Sequence, residues 1–429
     1  MSAVDAAHVM SERTVLRRFL FLAALRWLSV GFLIPVFVLL PLDRGLTLAQ
    51  IGVAASMQGW VVFALELPTG GFADSIGRRP VQAAAVLFAM ASIGLLVVAH
   101  SFVAFAAVFA LLGVYRALDS GPLDAWYVDA AQAADPAARI DRGMSLYGTV
   151  VSLAIATGSV VAGGLIAWDP TSRVDALTLP VVASLVVHVL SLVAVLALMS
   201  EPPRHDAEGL RASIRAVPRT VVSGARLLRG SRALVALVLL ELLWGLGVGT
   251  YESLLPVRLA EVTSGPQAAA AITGPAATAA WVAAAAGSAA MPWLGRRLGI
   301  GTAGVVSRVL LGLTVVMMGV LGGLAGVLAV YLACYSFHGI GGAAHSTLLH
   351  RNATSDVRAT VVSLNSLFSQ PAGALGLICL TALAGGVSVS AAMWVGGAVL
   401  ALGAPLYWVA AREAPATDPQ PSRESAATA

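Results

Sequence analysis

Residues 70 to 79 read Gly70-Gly71-Phe72-Ala73-Asp74-Ser75-Ile76-Gly77-Arg78-Arg79, a short polar run between two long apolar ones. Pro68, Gly70 and Gly71 loosen the end of the preceding helix, and Gly77 permits a tight turn back. Arg78 and Arg79 hold the turn on one side of a membrane, because cytoplasmic loops collect basic residues. Asp74 places a negative charge among them. A plain polar turn is the competing reading, and the hydropathy on both sides of the run speaks against it.

Outward from this loop the chain is 58% apolar and only 11% charged, with a mean hydropathy of +0.86. Soluble domains carry roughly a quarter charged residues, so lipid is the solvent. A transmembrane helix needs ~20 mostly apolar residues. Candidates run over 19 to 42, 48 to 70, 81 to 99, 102 to 127, 144 to 167 and 178 to 200, and then over 233 to 257, 270 to 293, 301 to 321, 325 to 349, 359 to 384 and 388 to 411. Twelve spans put both chain ends on one side.

All 26 basic residues are arginine, with no lysine. Twenty of them fall at loops or ends on the side of the termini, against Arg44, Arg173 and Arg258 on the other. Positive loops face the cytoplasm, which predicts both termini cytoplasmic. The net charge of +4 then reflects topology, without a nucleic-acid partner. The first apolar run lacks a small-residue cleavage site and reads as a retained helix. Cys334 and Cys379 lie within spans and offer no metal spacing.

The two sets of spans repeat. Leu39-Leu40-Pro41 aligns with Leu254-Leu255-Pro256 at an offset of 215, which sets Arg26 opposite Glu241. Gly77-Arg78-Arg79 aligns with Gly295-Arg296-Arg297 at 218, although Pro292 stands where the first copy has Asp74.

The pattern G-x-x-x-D-x-x-G-R-R, placed between the second and third helices, resembles the signature loop of the major facilitator superfamily. The resemblance implies an all-α membrane fold of twelve transmembrane helices in two pseudo-symmetric six-helix halves, with substrate bound between them near the bilayer midplane. The halves would be 1 to 200 and 233 to 411, joined by a cytoplasmic linker at 201 to 232 and followed by a disordered tail at 412 to 429. In the linker, Arg211, Arg215, Arg219, Arg226 and Arg229 share an arc at helical spacing, so either a surface helix on anionic lipid or a plain tether fits. Glu66-Leu67-Pro68-Thr69-Gly70 resembles the inner-gate position of a branch of bacterial efflux permeases, and that resemblance implies a bacterial inner membrane. Arg116 followed by Gly121 resembles the arginine-glycine motif of proton-coupled drug exporters, with the glycine one residue late. Gly148, Gly158, Gly163 and Gly164 resemble the fifth-helix motif of antiporters, with Ser159 in place of the proline; close helix packing explains them equally.

Charges inside lipid locate the chemistry, since each costs ~2.5 kcal/mol or more at the bilayer centre. They are Arg26, Glu66, Arg116, Asp119, Glu241, Glu252, Arg308 and His338. Arg116 and Asp119, three residues apart, are expected to pair on one helix face, beside a bend at Pro122. Glu241 and Glu252 lie three turns apart, bordered by Trp244, Val248 and Tyr251, a stripe suited to cationic or amphipathic molecules. His338 serves either packing or that cavity. Arg26 and Glu241 are expected to meet across the halves as a gate element. Asp124, Asp129, His345 and His350 fall at the cytoplasmic interface.

Without lysine there is no phosphate-binding loop, and hydrolase and zinc-protease motifs are absent as well. The expectation is a non-enzymatic secondary transporter without cofactor, metal or ATPase subunit, whose partners are a small-molecule substrate, protons and the bilayer. Asp119, Glu241 and Glu66 are the acids available to carry protons. Gly70, Asp74, Gly77, Arg78, Arg79 and Glu66 form the signature loop and gate. Export of a hydrophobic or cationic drug or natural product by antiport is favoured over a proton-coupled importer of a polar solute and over a non-transporting sensor on the same fold.

Overall fold

A computed structural model describes residues 10–69, 72–136, 138–170, 175–201, 226–352 and 358–412. Twelve long helices follow one another: α1 (Glu12–Leu33), α2 (Leu48–Thr69), α3 (Arg78–Val98), α4 (Phe102–Asp119), α5 (Ile140–Trp168), α6 (Leu179–Leu198), α7 (Arg232–Glu252), α8 (Pro266–Leu298), α9 (Ile300–Val320), α10 (Leu324–Asn352), α11 (Arg358–Gly386) and α12 (Val389–Leu402). Eleven helical spans are long and apolar enough to cross a membrane among the described residues, and α1, with Arg13, Arg17, Arg18 and Arg26, packs beside them.

The repeat governs the breaks. α1 unwinds after Leu33 and resumes as the short helix Leu39–Asp43, and α7 breaks after Glu252 and resumes as Leu255–Val262. Each break is followed by an arginine that caps its own half. Arg44 donates to the carbonyls of Leu96, Val97 and Ala99 at the end of α3 at 2.6 to 3.0 Å. Arg258 donates to those of Met318 and Leu321 at the end of α9 at 3.1 and 2.9 Å. These carbonyls have no partner within their helices, and the guanidinium fork satisfies them. α4 breaks where the proline predicts. Gly121 takes φ +103°, and a further helix, Pro122–Ala134, starts at once.

Within the first half, Gly31 of α1 and Gly158 of α5 touch, and Ser159 donates to the Gly31 carbonyl at 3.1 Å. Between the halves, contact concentrates along two seams at the end of the bundle away from the described termini. On one, Gly52 of α2 lies against Thr381 of α11. On the other, Gly274 of α8 lies against the Ser159 carbonyl of α5, and Thr278 donates to Ala156 at 3.1 Å. Small residues permit this backbone approach. Toward the opposite end, Ser145, Thr149 and Ser152 on α5, Ala285 and Ala286 on α8, and Arg116 and Ser120 on α4 are exposed. These exposed positions, on helices whose far ends touch, mark a wedge between the halves, closed at the far end and open at the near one.

Residues 202–225, which hold most of the expected linker helix, and 413–429, the expected tail, lie outside the described residues, as do Gly70, Gly71 and the side chain of Asp74.

Candidate functional site

In the first half the ionic centre joins α1 to α4. Arg26 Nη2 lies 2.5 Å from Asp119 Oδ2, and Gln82 of α3 donates to Asp119 Oδ1 at 2.6 Å. Tyr115, one turn before Asp119, is within hydrogen-bond reach of both members of the pair. Asp119 is 2% exposed. The Arg26 guanidinium also lies 5.0 Å from the Trp27 ring, whose indole N–H donates to Tyr147 at 3.2 Å. A second carboxylate, Asp124 in the first turn after the α4 break, is close enough for its charge to act on Arg26, and its Oδ1 is buried without a hydrogen-bond partner.

This corrects the expected Arg116 to Asp119 pair. Asp119 turns into the α1/α3 side, while Arg116 points into the wedge and is exposed. Sharing a helix face allows contact but does not compel it when a buried guanidinium waits on the neighbouring helix. Arg26 and Glu241 do not pair across the halves either. Glu241 Oε1 stands 3.5 Å from His345 Nε2 of α10, so each residue meets the fourth helix of its own half. A parallel repeat sets equivalent residues at equal depth on opposite sides of the bundle, which is symmetry without contact. His345, expected at the interface, is thus 8% exposed and part of the interior.

Glu241, Trp244, Arg308, Phe337, His338 and His345 line a cavity of about 210 Å³ within the second half. Arg308 is buried, with Nη2 3.4 Å from the Tyr407 hydroxyl, which donates to the Gly341 carbonyl at 2.9 Å. Trp244 donates to the Tyr251 hydroxyl at 2.9 Å, and that hydroxyl meets His338 Nδ1 at 3.2 Å. Tyr335 extends this group edge-on to Tyr251, Tyr331 and Trp281, with ring centroids 5.0 to 5.7 Å apart. The expected cavity residues Trp244, Tyr251 and His338 therefore come together. Glu252, the residue after Tyr251 at the end of α7, is exposed and makes no side-chain hydrogen bond to this group among the described residues. Sequence reasoning missed Gln82, Tyr331, Tyr335 and Trp281; spacing on α10 sets Tyr331, Tyr335 and His338 on one face, a signal that could have been used.

In the signature loop, Phe72–Ile76 forms one helical turn and Gly77 takes φ +103°. The Glu201 carboxylate, at the end of α6, accepts from the backbone N–H groups of Arg78 and Arg79 at 2.7 and 3.0 Å. Arg78 pairs with Asp129 and donates to the Ala125 carbonyl. Arg79 donates to that of Leu196 at 2.6 Å. Glu66, in the last turn of α2, is half-buried. The loop thus clamps α3 to the helix after α4 and to α6.

Two six-helix halves around a wedge, with a buried ion pair joining the first and fourth helices of one half and a glutamate-histidine contact at the corresponding place in the other, define a membrane transporter. The family model of the Major Facilitator Superfamily matches residues 19–377, and the chain belongs to that superfamily. No curated protein matches it. Among solved structures it is similar to the nucleoside transporter NupG at 11% identity, covering 93% of this chain and 99% of that one with a TM-score of 0.76. A bacterial homolog of the human lysosomal transporter Spinster, inward-facing and occupied, matches at 15% identity, 93% and 96% coverage and a TM-score of 0.72. An auto-inhibited POT family peptide transporter matches at 14% identity, 95% and 98% coverage and 0.72. At these identities they show the fold. The chain is a secondary active transporter and not an enzyme.

Proposed function

We propose that this transporter is a proton-coupled antiporter that exports small amphipathic, amine-bearing molecules across a bacterial inner membrane, with both termini cytoplasmic. The observation that carries the reading is the Arg26 to Asp119 ion pair, nearly dry and deep in the bundle. A proton on Asp119 would cancel the attraction that holds Arg26, freeing the guanidinium to turn toward Asp124 and changing how α1 sits on α4. The Glu241 to His345 contact is the corresponding element of the second half. The exposed Glu252 carboxylate and the Tyr335 aromatic group suit a cation with an apolar body. Arginine placement supports the wedge opening to the cytoplasm, where an exporter collects its cargo.

Everted membrane vesicles with an imposed inward-acidic gradient test the reading. They should accumulate amphipathic amines, and dissipating the gradient should release them. Accumulation that ignores the proton gradient would reject proton coupling. Uptake by right-side-out vesicles alone would favour an importer.

A further inference from the structure

Arg308 on α9 brings a permanent charge into the second half, and little of the protein holds it there. It is 8% exposed. Its Nε is buried without a hydrogen-bond partner, and Nη2 has only the 3.4 Å contact with the Tyr407 hydroxyl. The Tyr407 ring centroid lies 5.8 Å from the guanidinium carbon, near the outer limit of cation-π attraction. Among the described residues Arg308 forms no ion pair. A guanidinium presents five N–H donors, so protein atoms satisfy few of them here. The side chain borders the cavity of about 210 Å³ between α7, α9 and α10, whose walls also include Trp244, Leu311 and Phe337. At ~30 Å³ per water, this is room for about seven water-sized groups. Glu241 lines the same cavity with the opposite charge, so the two weaken each other's field across it. They do not meet. Glu241 Oε1 is turned to His345 Nε2 at 3.5 Å, and its side chain is 20% exposed. Neutralisation at a distance lowers the field but fills no donor, and Arg308 Nε still lacks an acceptor.

We propose that this cavity is a binding site for a small monocarboxylate, with its carboxylate on the Nε and Nη2 edge of Arg308 and its short aliphatic body against Leu311, Phe337 and Trp244. Nε–H and one Nη–H of a guanidinium point the same way and match the two oxygens of a carboxylate, a fit that a halide or a single water lacks. The space limits the ligand to about three to five carbons, and apolar walls beside one charged group favour an aliphatic chain. Glu241 keeps its own partner in His345, so a ligand that satisfies Arg308 takes nothing from it. The site lies on α7, α9 and α10 of one half, away from the Glu252 and Tyr335 surface assigned to the amine cargo. It requires neither that cargo nor proton coupling, and goes beyond the antiporter reading.

The test uses three molecules of similar size, butyrate, butyramide and n-butylamine, which are anionic, neutral and cationic. Each is titrated against the purified full-length protein at constant ionic strength, balanced with gluconate, which is too large for the cavity. Binding is read as the rise in thermal-unfolding midpoint. Butyrate should bind the unsubstituted protein about tenfold or more tightly than either analogue. Arg308→Gln should abolish that preference, and Arg308→Lys, which keeps the charge but loses the fork, should weaken butyrate about fivefold or more. Gly342→Leu leaves Arg308 in place and narrows the cavity: Gly342 lines it, and a Cβ there meets nothing within 4 Å. This variant should keep the unliganded midpoint and bind butyrate about tenfold more weakly. Glu241→Gln should bind butyrate at least as tightly as the unsubstituted protein. No preference for butyrate, a preference that survives Arg308→Gln, or unchanged butyrate binding in Gly342→Leu overturns the proposal. So does binding that appears only in Glu241→Gln, which would show that Glu241 and Arg308 neutralise each other and that the cavity holds water alone.

Discussion

Asp119 is held by three polar neighbours, and each sets a different property of the site. Arg26 supplies the counter-charge, Gln82 fixes one carboxylate oxygen, and Tyr115 reaches the pair from one turn away on the same helix. Removing one member of a buried pair strands the other, at a cost of about 3 to 5 kcal/mol. Asp119→Asn should therefore lower the thermal-unfolding midpoint and abolish accumulation against a gradient, while leaving energy-independent exchange of substrate across the membrane. The Arg26→Gln, Asp119→Asn double variant should recover part of the lost stability, because no unpaired charge remains; a double-mutant cycle measures the coupling. Strictly additive losses would show that the contact contributes nothing. Asp124, with one oxygen buried and unpartnered, is the alternative seat for Arg26. Asp124→Asn should slow gradient-driven transport several-fold while leaving the unfolding midpoint unchanged.

At the scale of single elements, the start of α3 shows how one helix end locks a loop. Its first N–H groups have no partners within the helix, and the Glu201 carboxylate accepts from two of them. Glu201→Ala should cost about 1 kcal/mol, as the loss of a helix cap does. Gly77 precedes this end with φ +103° and ψ 151°, a region open in practice to glycine alone, so Gly77→Ala should cost about 1 to 3 kcal/mol. Both losses are read from chemical or thermal unfolding in detergent. An unchanged midpoint in either variant would show that the loop is held by other contacts. The break at Gly121 belongs to the same scale: it ends α4 just after Asp119 and sets Asp124 in the first turn of the next helix, so the two carboxylates approach Arg26 from separate segments.

At the scale of the whole molecule, the halves are joined along α2 with α11 and α5 with α8, where glycine meets backbone. A Cβ on Gly274 would run into the Ser159 carbonyl, whereas one on Gly164, an exposed glycine of α5, would meet nothing within 4 Å. Gly274→Val should therefore force the far end apart, slow transport at least tenfold and lower the unfolding midpoint, and Gly164→Val should leave both unchanged. Transport rate and midpoint in the two variants decide the matter. Equal effects would place the functional seam elsewhere.

Local patterns in the chain determined the class of solvent, the number of long helices, the break before Pro122 and the duplication, whereas the breaks after Leu33 and Glu252 fall inside spans read as continuous. Hydropathy runs, glycine, proline and paired arginines act within a few residues of where they stand. The break after Asp119 was legible because Pro122 has no N–H to donate to the helical bond, and the depth of Arg26, Glu241 and Glu252 because helical rise is constant. Only the tertiary structure decided which charges meet. Asp119 chose Arg26, distant in the chain, over Arg116 three residues away, and Glu241 chose His345 over its repeat counterpart. The rotation of each helix about its axis is set by the sum of its packing contacts, and no periodicity in an almost uniformly apolar span reports it. Neighbouring helices thus assign Arg26 and Asp119 to the interior and leave Arg116 and Glu252 exposed.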